Sequence, residues 1–119
     1  MEKILLNPKK IVAKYADEET KQIMLKTIDF FEGRGLKKMK DDFHACTWYT
    51  EFLDFMKENQ IMAKLLTPKG FGDNARWDTS RIVDFAEILG FYGLTYWYTF
   101  QVSALGLGPI FLGSNTEAK

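Results

Sequence analysis

The feature that most constrains this chain is the segment Ile88–Thr116, which contains no Asp, Glu, Lys, Arg or His. It exceeds the ~20 mostly apolar residues that a membrane-spanning helix needs. However, glycine, proline, threonine and glutamine interrupt it, and neither end carries the Lys/Arg flank that usually orients a spanning helix. We therefore predict a helical segment buried in a folded domain, with a membrane span as a competing interpretation.

Thr95–Gly106 is predicted to be the central helix of this segment, buried on nearly all faces because its residues are apolar all round. Gly108-Pro109 is expected to break or bend it, since proline lacks the amide donor and clashes with the preceding turn. A short helical piece, Ile110–Leu112, would follow. Asn115-Thr116-Glu117 is typical of a further helix start, which indicates that the natural chain continues beyond Lys119.

Helical periodicity also marks the chain before this segment. The first helix is expected to begin near Asp17, whose acidic turn favours the helix dipole, and to end at Gly33 or Gly35. Leu36–Phe43 is predicted to be a solvated helix or loop, with a docking patch as the alternative. Thr47 is predicted to cap the next helix, and Asp78, Thr79 or Ser80 a later one. The predicted apolar faces are Met24, Ile28 and Phe31; Trp48, Phe52 and Met56; and Ile82, Phe85, Ala86 and Leu89.

No useful strand-like alternation is found, so the predicted class is all-α, a bundle of five to six helices. We assign residues 1–16 to a lead-in segment and residues 17–119 to one helical domain. Basic and acidic residues number 16 each, which gives no reason to expect nucleic acid or an anionic membrane as a partner. The single cysteine and the lack of a signal-peptide pattern favour a cytoplasmic location.

The residues alone carry no catalytic or metal-binding motif. His44 and Cys46 are two positions apart, and such side chains do not face each other on a helix. There is no second histidine and no CxxC pair to suggest a metal site. The glycine pairs at Gly70-Phe71-Gly72 and Gly106-Leu107-Gly108 follow no predicted strand, so they do not indicate a phosphate-binding loop.

The order of motifs from Asp17 onward nevertheless resembles the N-terminal helical domain of the acyl-CoA dehydrogenases. The short apolar segment Ile61–Leu66 leads into Thr67-Pro68 and a glycine loop, as in that family. The family's loop usually carries acidic residues and paired glycines, whereas here it reads Lys69-Gly70-Phe71-Gly72-Asp73, so its length and contacts differ from the family pattern. The most specific match joins Gly106-Leu107-Gly108-Pro109-Ile110 to Gly113 and the polar turn that follows it. The resemblance covers most of the chain and implies the N-terminal fold of that family.

The resemblance implies that the full-length parent is an FAD-dependent enzyme that removes hydrogens from Cα and Cβ of an acyl-CoA thioester. In the family, the glutamate base and most flavin contacts lie in a β-domain and a C-terminal bundle, so no residue here is expected to be catalytic. The 119-residue chain alone is expected to be inactive and not to bind FAD tightly.

What the resemblance assigns to this domain is one wall of the acyl pocket, which excludes water during the reaction. The substrate-binding positions that it implies are Trp97, Tyr98, Gln101, Val102 and Leu105. The face that meets the other two domains is expected to be exposed and apolar in this chain, and to favour self-association.

Two other interpretations compete with this one. The first is a stand-alone helical protein-interaction module without catalytic activity, native at this length. The second is a membrane protein that spans at Ile88–Leu112. The reading frame after Lys119 would separate them, because the dehydrogenase requires a β-rich stretch and then a second helical stretch. Neither the acyl substrate nor the electron acceptor is specified by these residues.

Overall fold

The computed structural model describes residues 10, 13, 15, 17–73 and 75–119. Within residues 17–73 and 75–119 the chain forms six α-helices and no strand, which confirms the all-α class for this part of the chain. The helices are α1 (Glu18–Arg34), α2 (Leu36–His44), α3 (Thr50–Glu58), α4 (Ile61–Leu66), α5 (Thr79–Tyr92) and α6 (Leu94–Leu112). Most of the predicted lead-in, residues 1–16, lies outside the described residues.

The chain divides into two compact units between Phe55 and Met56, inside α3. In the first unit, α1 begins and ends where its sequence predicts. Asp17 is the N-cap, and its carboxylate accepts a hydrogen bond from the Thr20 N–H at 3.0 Å. Gly35 ends the helix with φ 79°, a conformation that glycine adopts without a Cβ penalty. Because the chain divides into these two units, the assignment of residues 17–119 to one domain stays a prediction.

The predicted apolar face of α1 is confirmed, since Met24, Ile28 and Phe31 are all buried. Aromatic rings continue this core towards α3. The Phe30 and Phe55 rings stack with centroids 4.6 Å apart, and those of Phe31 and Phe52 lie 5.7 Å apart. Such ring pairs add to the stabilisation that burial of their area provides.

The predicted start of α3 is wrong. The helix begins at Thr50, so Thr47 is not its cap, and Trp48 precedes the helix with 72% of its surface exposed. The reason lies in the preceding turn, where the Thr47 N–H donates to the Asp42 carbonyl at 2.9 Å and Cys46 has a positive φ of 53°. Thr47 thus belongs to the turn that closes α2. Phe52 is buried as predicted.

An arginine joins the three helices of the first unit. The Arg34 guanidinium donates to Asp42 on α2 at 2.5 Å and also pairs with Glu51 on α3. Burial alone would raise the pKa of the Asp42 carboxyl, but hydrogen bonds from Arg34 and Lys38 outweigh it and lower that pKa below its ordinary value. The rest of α2 is mostly exposed, as predicted, with a Lys37–Asp41 ion pair at 2.8 Å.

In the second unit, α5 and α6 pack against each other. Of the three predicted caps, Asp78 is the one that caps α5, with its carboxylate accepting from the Ser80 N–H at 3.0 Å. The Phe85 ring of α5 meets the Phe100 ring of α6 edge-on, with centroids 4.8 Å apart. Gly93 is the only residue between the two helices, and a Cβ there would lie 3.0 Å from the Tyr96 ring. Glycine at this position therefore leaves room for the Tyr96 ring.

The predicted inner face of α5 is correct in part. Phe85 and Leu89 are buried, whereas Ile82 and Ala86 are only half-buried. Arg81 is 1% exposed, a burial that an apolar-periodicity argument cannot predict. Its guanidinium Nη1 donates to the Arg76 carbonyl at 3.4 Å, and the Arg76 N–H donates to the Lys64 carbonyl at 3.2 Å. These bonds attach the loop before α5 to α4 and α5.

The predicted burial of α6 is wrong: the helix is not buried nearly all round, because only Tyr96, Phe100 and Gly108 are buried. Of the predicted break or bend at Gly108-Pro109, the break does not occur, since α6 continues to Leu112, and the bend stays a prediction. Proline has no amide N–H, so one carbonyl in the preceding turn has no hydrogen bond from residue 109. Pro109 is exposed, which leaves water able to reach this part of the helix. No helix in the described part of the chain has the length and hydropathy needed to cross a membrane.

Candidate docking face on the last helix

The candidate functional site is an exposed apolar face along α6. Its residues recur every three or four positions, the spacing that places side chains on one side of a helix. We call this set the α6 face: Leu94, Tyr98, Val102, Leu105, Pro109 and Leu112. Leu94, Leu105 and Leu112 are 71%, 63% and 80% exposed, and Tyr98 is 61% exposed.

The opposite side of α6 explains why this face points outwards. Tyr96 and Phe100 are buried, and Phe100 packs on α5. Further along, a Cβ added to buried Gly108 would lie 3.7 Å from the Trp77 ring, and the Trp77 and Phe111 rings have centroids 6.3 Å apart. The second unit therefore holds α6 from one side only, along most of its length.

The electrostatics of the α6 face are simple, because residues 94–112 include no charged side chain. Two hydroxyl groups of the helix donate hydrogen bonds to backbone carbonyls of the same helix. Thr99 Oγ1 donates to the Thr95 carbonyl at 2.9 Å, and Ser103 Oγ donates to the Thr99 carbonyl at 3.5 Å. Such back-bonding satisfies the hydroxyl locally. The α6 face can therefore pack against an apolar surface or a hydrocarbon chain, but it offers no cation to a phosphate.

The substrate-binding positions implied by the sequence lie along this part of α6. Tyr98, Val102 and Leu105 are members of the α6 face. Trp97 and Gln101 are half-buried at adjacent positions, which places them beside the exposed stripe. A role for any of the five in binding an acyl chain stays a prediction. Tyr98, Val102 and Leu105 are exposed, but whether they form a face that meets further domains stays a prediction.

Sequence reasoning missed how far the face extends. Leu94 precedes Tyr98 by one helical turn, and Leu112 follows Pro109 by three residues, so the same spacing could have identified both. The prediction failed because Pro109 was expected to interrupt the helix, and because an uncharged helix does not show by its sequence which side is covered.

The other candidate groups belong to the first unit. His44 and Cys46 are both exposed, Cys46 in the turn after α2. Among the described residues, no three His, Cys, Asp or Glu side chains are grouped so that they could hold a metal ion. Within the described residues, the α6 face is therefore the candidate functional site.

Comparison with known proteins adds no family to these observations: no protein-family model, no curated protein and no solved structure matches this chain.

Proposed function

We propose that this chain is the N-terminal helical domain of an FAD-dependent acyl-CoA dehydrogenase, in which α6 supplies one wall of the acyl pocket. The observation that carries the proposal is the α6 face, an uncharged surface on a helix that is held from its other side only. Tyr98, Val102 and Leu105, which the resemblance assigns to the pocket, are exposed members of that face.

The order of elements supports the same proposal. The short helix α4 is followed by Thr67-Pro68 and the glycine loop, and then by the paired helices α5 and α6. The specific motif Gly106 to Ile110 lies within the last two turns of α6. After the helix ends, the Glu117 N–H donates to Asn115 Oδ1 at 3.0 Å, a local bond of the kind expected at a helix start.

Physical chemistry explains what such a face contributes. Burial of a Leu or Val side chain stabilises a protein by about 1.5–3 kcal/mol, and several of these side chains are left in water on α6. A β-domain and a second bundle that covered the face would gain that free energy and would also exclude water from an acyl chain lying against it.

The same chemistry limits which part of the ligands this chain could contact. The α6 face carries no cation, so it fits the hydrocarbon of an acyl group and does not fit the phosphates of coenzyme A or FAD. FAD, when bound, supplies the hydride acceptor. In the proposed parent it is held by residues outside this chain, and the residues described here orient the acyl chain and exclude water.

The proposal is tested on the natural full-length protein that contains this chain. We expect it to purify with bound flavin, and we expect the flavin absorbance to bleach when an acyl-CoA is added without oxygen. Trp97→Ala and Tyr98→Ala should shift the preferred acyl length, whereas Val83→Ala, at an exposed position on α5, should not. A full-length protein without flavin, or one that no acyl-CoA reduces, would contradict the proposal.

A second candidate, a stand-alone helical interaction module, is favoured by exposed apolar side chains elsewhere in the chain. In the first unit, Leu36, Phe43 and Trp48 are 63%, 66% and 72% exposed. A natural protein that ends at Lys119, binds no flavin and loses its association with a defined protein partner upon Leu105→Glu would establish this function instead.

A further inference from the structure

We draw no further inference here: the strongest candidate outside the α6 face, the exposed apolar side chains of Leu36, Phe43 and Trp48 on α2 and the turn that follows it, carries nothing because nothing in the structure shows what covers them.

Discussion

The helices α2 and α6 both expose one side to solvent, but with opposite chemistry. Most exposed residues of α2 are lysines and an aspartate, with Leu36 and Phe43 also exposed at its two ends. The Lys37–Asp41 and Lys38–Asp42 ion pairs each span one turn along the charged side. The exposed side of α6 carries leucines, a valine and a tyrosine. Water solvates the first side at little cost, whereas the second leaves apolar area that could still be buried. The ion-paired side of α2 is thus stable in water, whereas the α6 face, like Leu36 and Phe43 at the two ends of α2, is apolar surface that can still pack against something else.

The largest expected effect concerns the two sides of α6. Phe100→Ala should lower the free energy of unfolding by about 3–5 kcal/mol, because it leaves a cavity against Phe85 in the core. Urea unfolding followed by circular dichroism measures this change.

Tyr98→Ala is the matched control on the exposed side of the same helix. It should change the free energy of unfolding by about 0.5 kcal/mol or less, as exposed positions usually do. Equal destabilisation by the two variants would show that α6 has no distinct inner and outer sides.

The next effect concerns the arginine that joins α1, α2 and α3. Arg34→Ala removes one of two cationic partners of half-buried Asp42 and the partner of exposed Glu51, and should lower the urea midpoint of unfolding. Lys37→Ala, whose ion pair with Asp41 is exposed to solvent, should cost less than about 0.5 kcal/mol. If both substitutions lower the stability equally, the ion pairs of Arg34 stabilise the chain no more than an ordinary surface ion pair does.

The pH dependence of stability should sharpen this contrast. Because the pKa of Asp42 is below its ordinary value of 3.8 in the folded chain, the unfolded chain takes up this proton first as the pH falls. The stability that the ionised Asp42 contributes is thus present above that value and is lost as the pH falls through the lower, folded pKa. Asp42→Asn should flatten this acid loss in urea midpoints measured from pH 6 to pH 3, and an unchanged slope would contradict the role given to Arg34 and Lys38.

Leu105→Glu should have the smallest effect on stability. It should nevertheless clearly reduce association of the chain with itself. The substitution places a charge in the middle of the α6 face, which should reduce self-association of the chain in sedimentation experiments while urea unfolding stays nearly unchanged. Val83→Glu, on the exposed side of α5, provides the control. A chain that is monomeric at every concentration would refute the expected self-association.

Particular residues show how far sequence reasoning reached. The cap at Asp17, the end at Gly35 and the core positions Met24, Ile28 and Phe31 follow from local rules, because capping and a 3.6-residue period act over a few neighbours. The buried Arg81 and the late start of α3 depend on hydrogen bonds to loop carbonyls, which periodicity does not record.

The sequence did not predict which side of α6 is exposed. Of the five positions that the resemblance selected, Tyr98, Val102 and Leu105 are exposed, Trp97 and Gln101 are half-buried, and a binding role for any of them stays a prediction. Which side of an uncharged helix is covered depends on the partner helix, here on the packing of Phe85 against Phe100. A helix with apolar residues on every side has no charged stripe in its sequence to mark the side that faces water.

The central claim, that the α6 face meets further protein in the natural molecule, is tested most directly by the rate of thiol labelling at position 105. In a Cys46→Ala background, Leu105→Cys should react rapidly with a maleimide in the present chain at low concentration, because Leu105 is exposed. The same substitution in the proposed full-length parent should react at least about tenfold more slowly, because a tenfold smaller exposed population corresponds to about 1.4 kcal/mol. Lys37→Cys should react alike in both. Equal labelling rates at position 105 in the two proteins would contradict the claim.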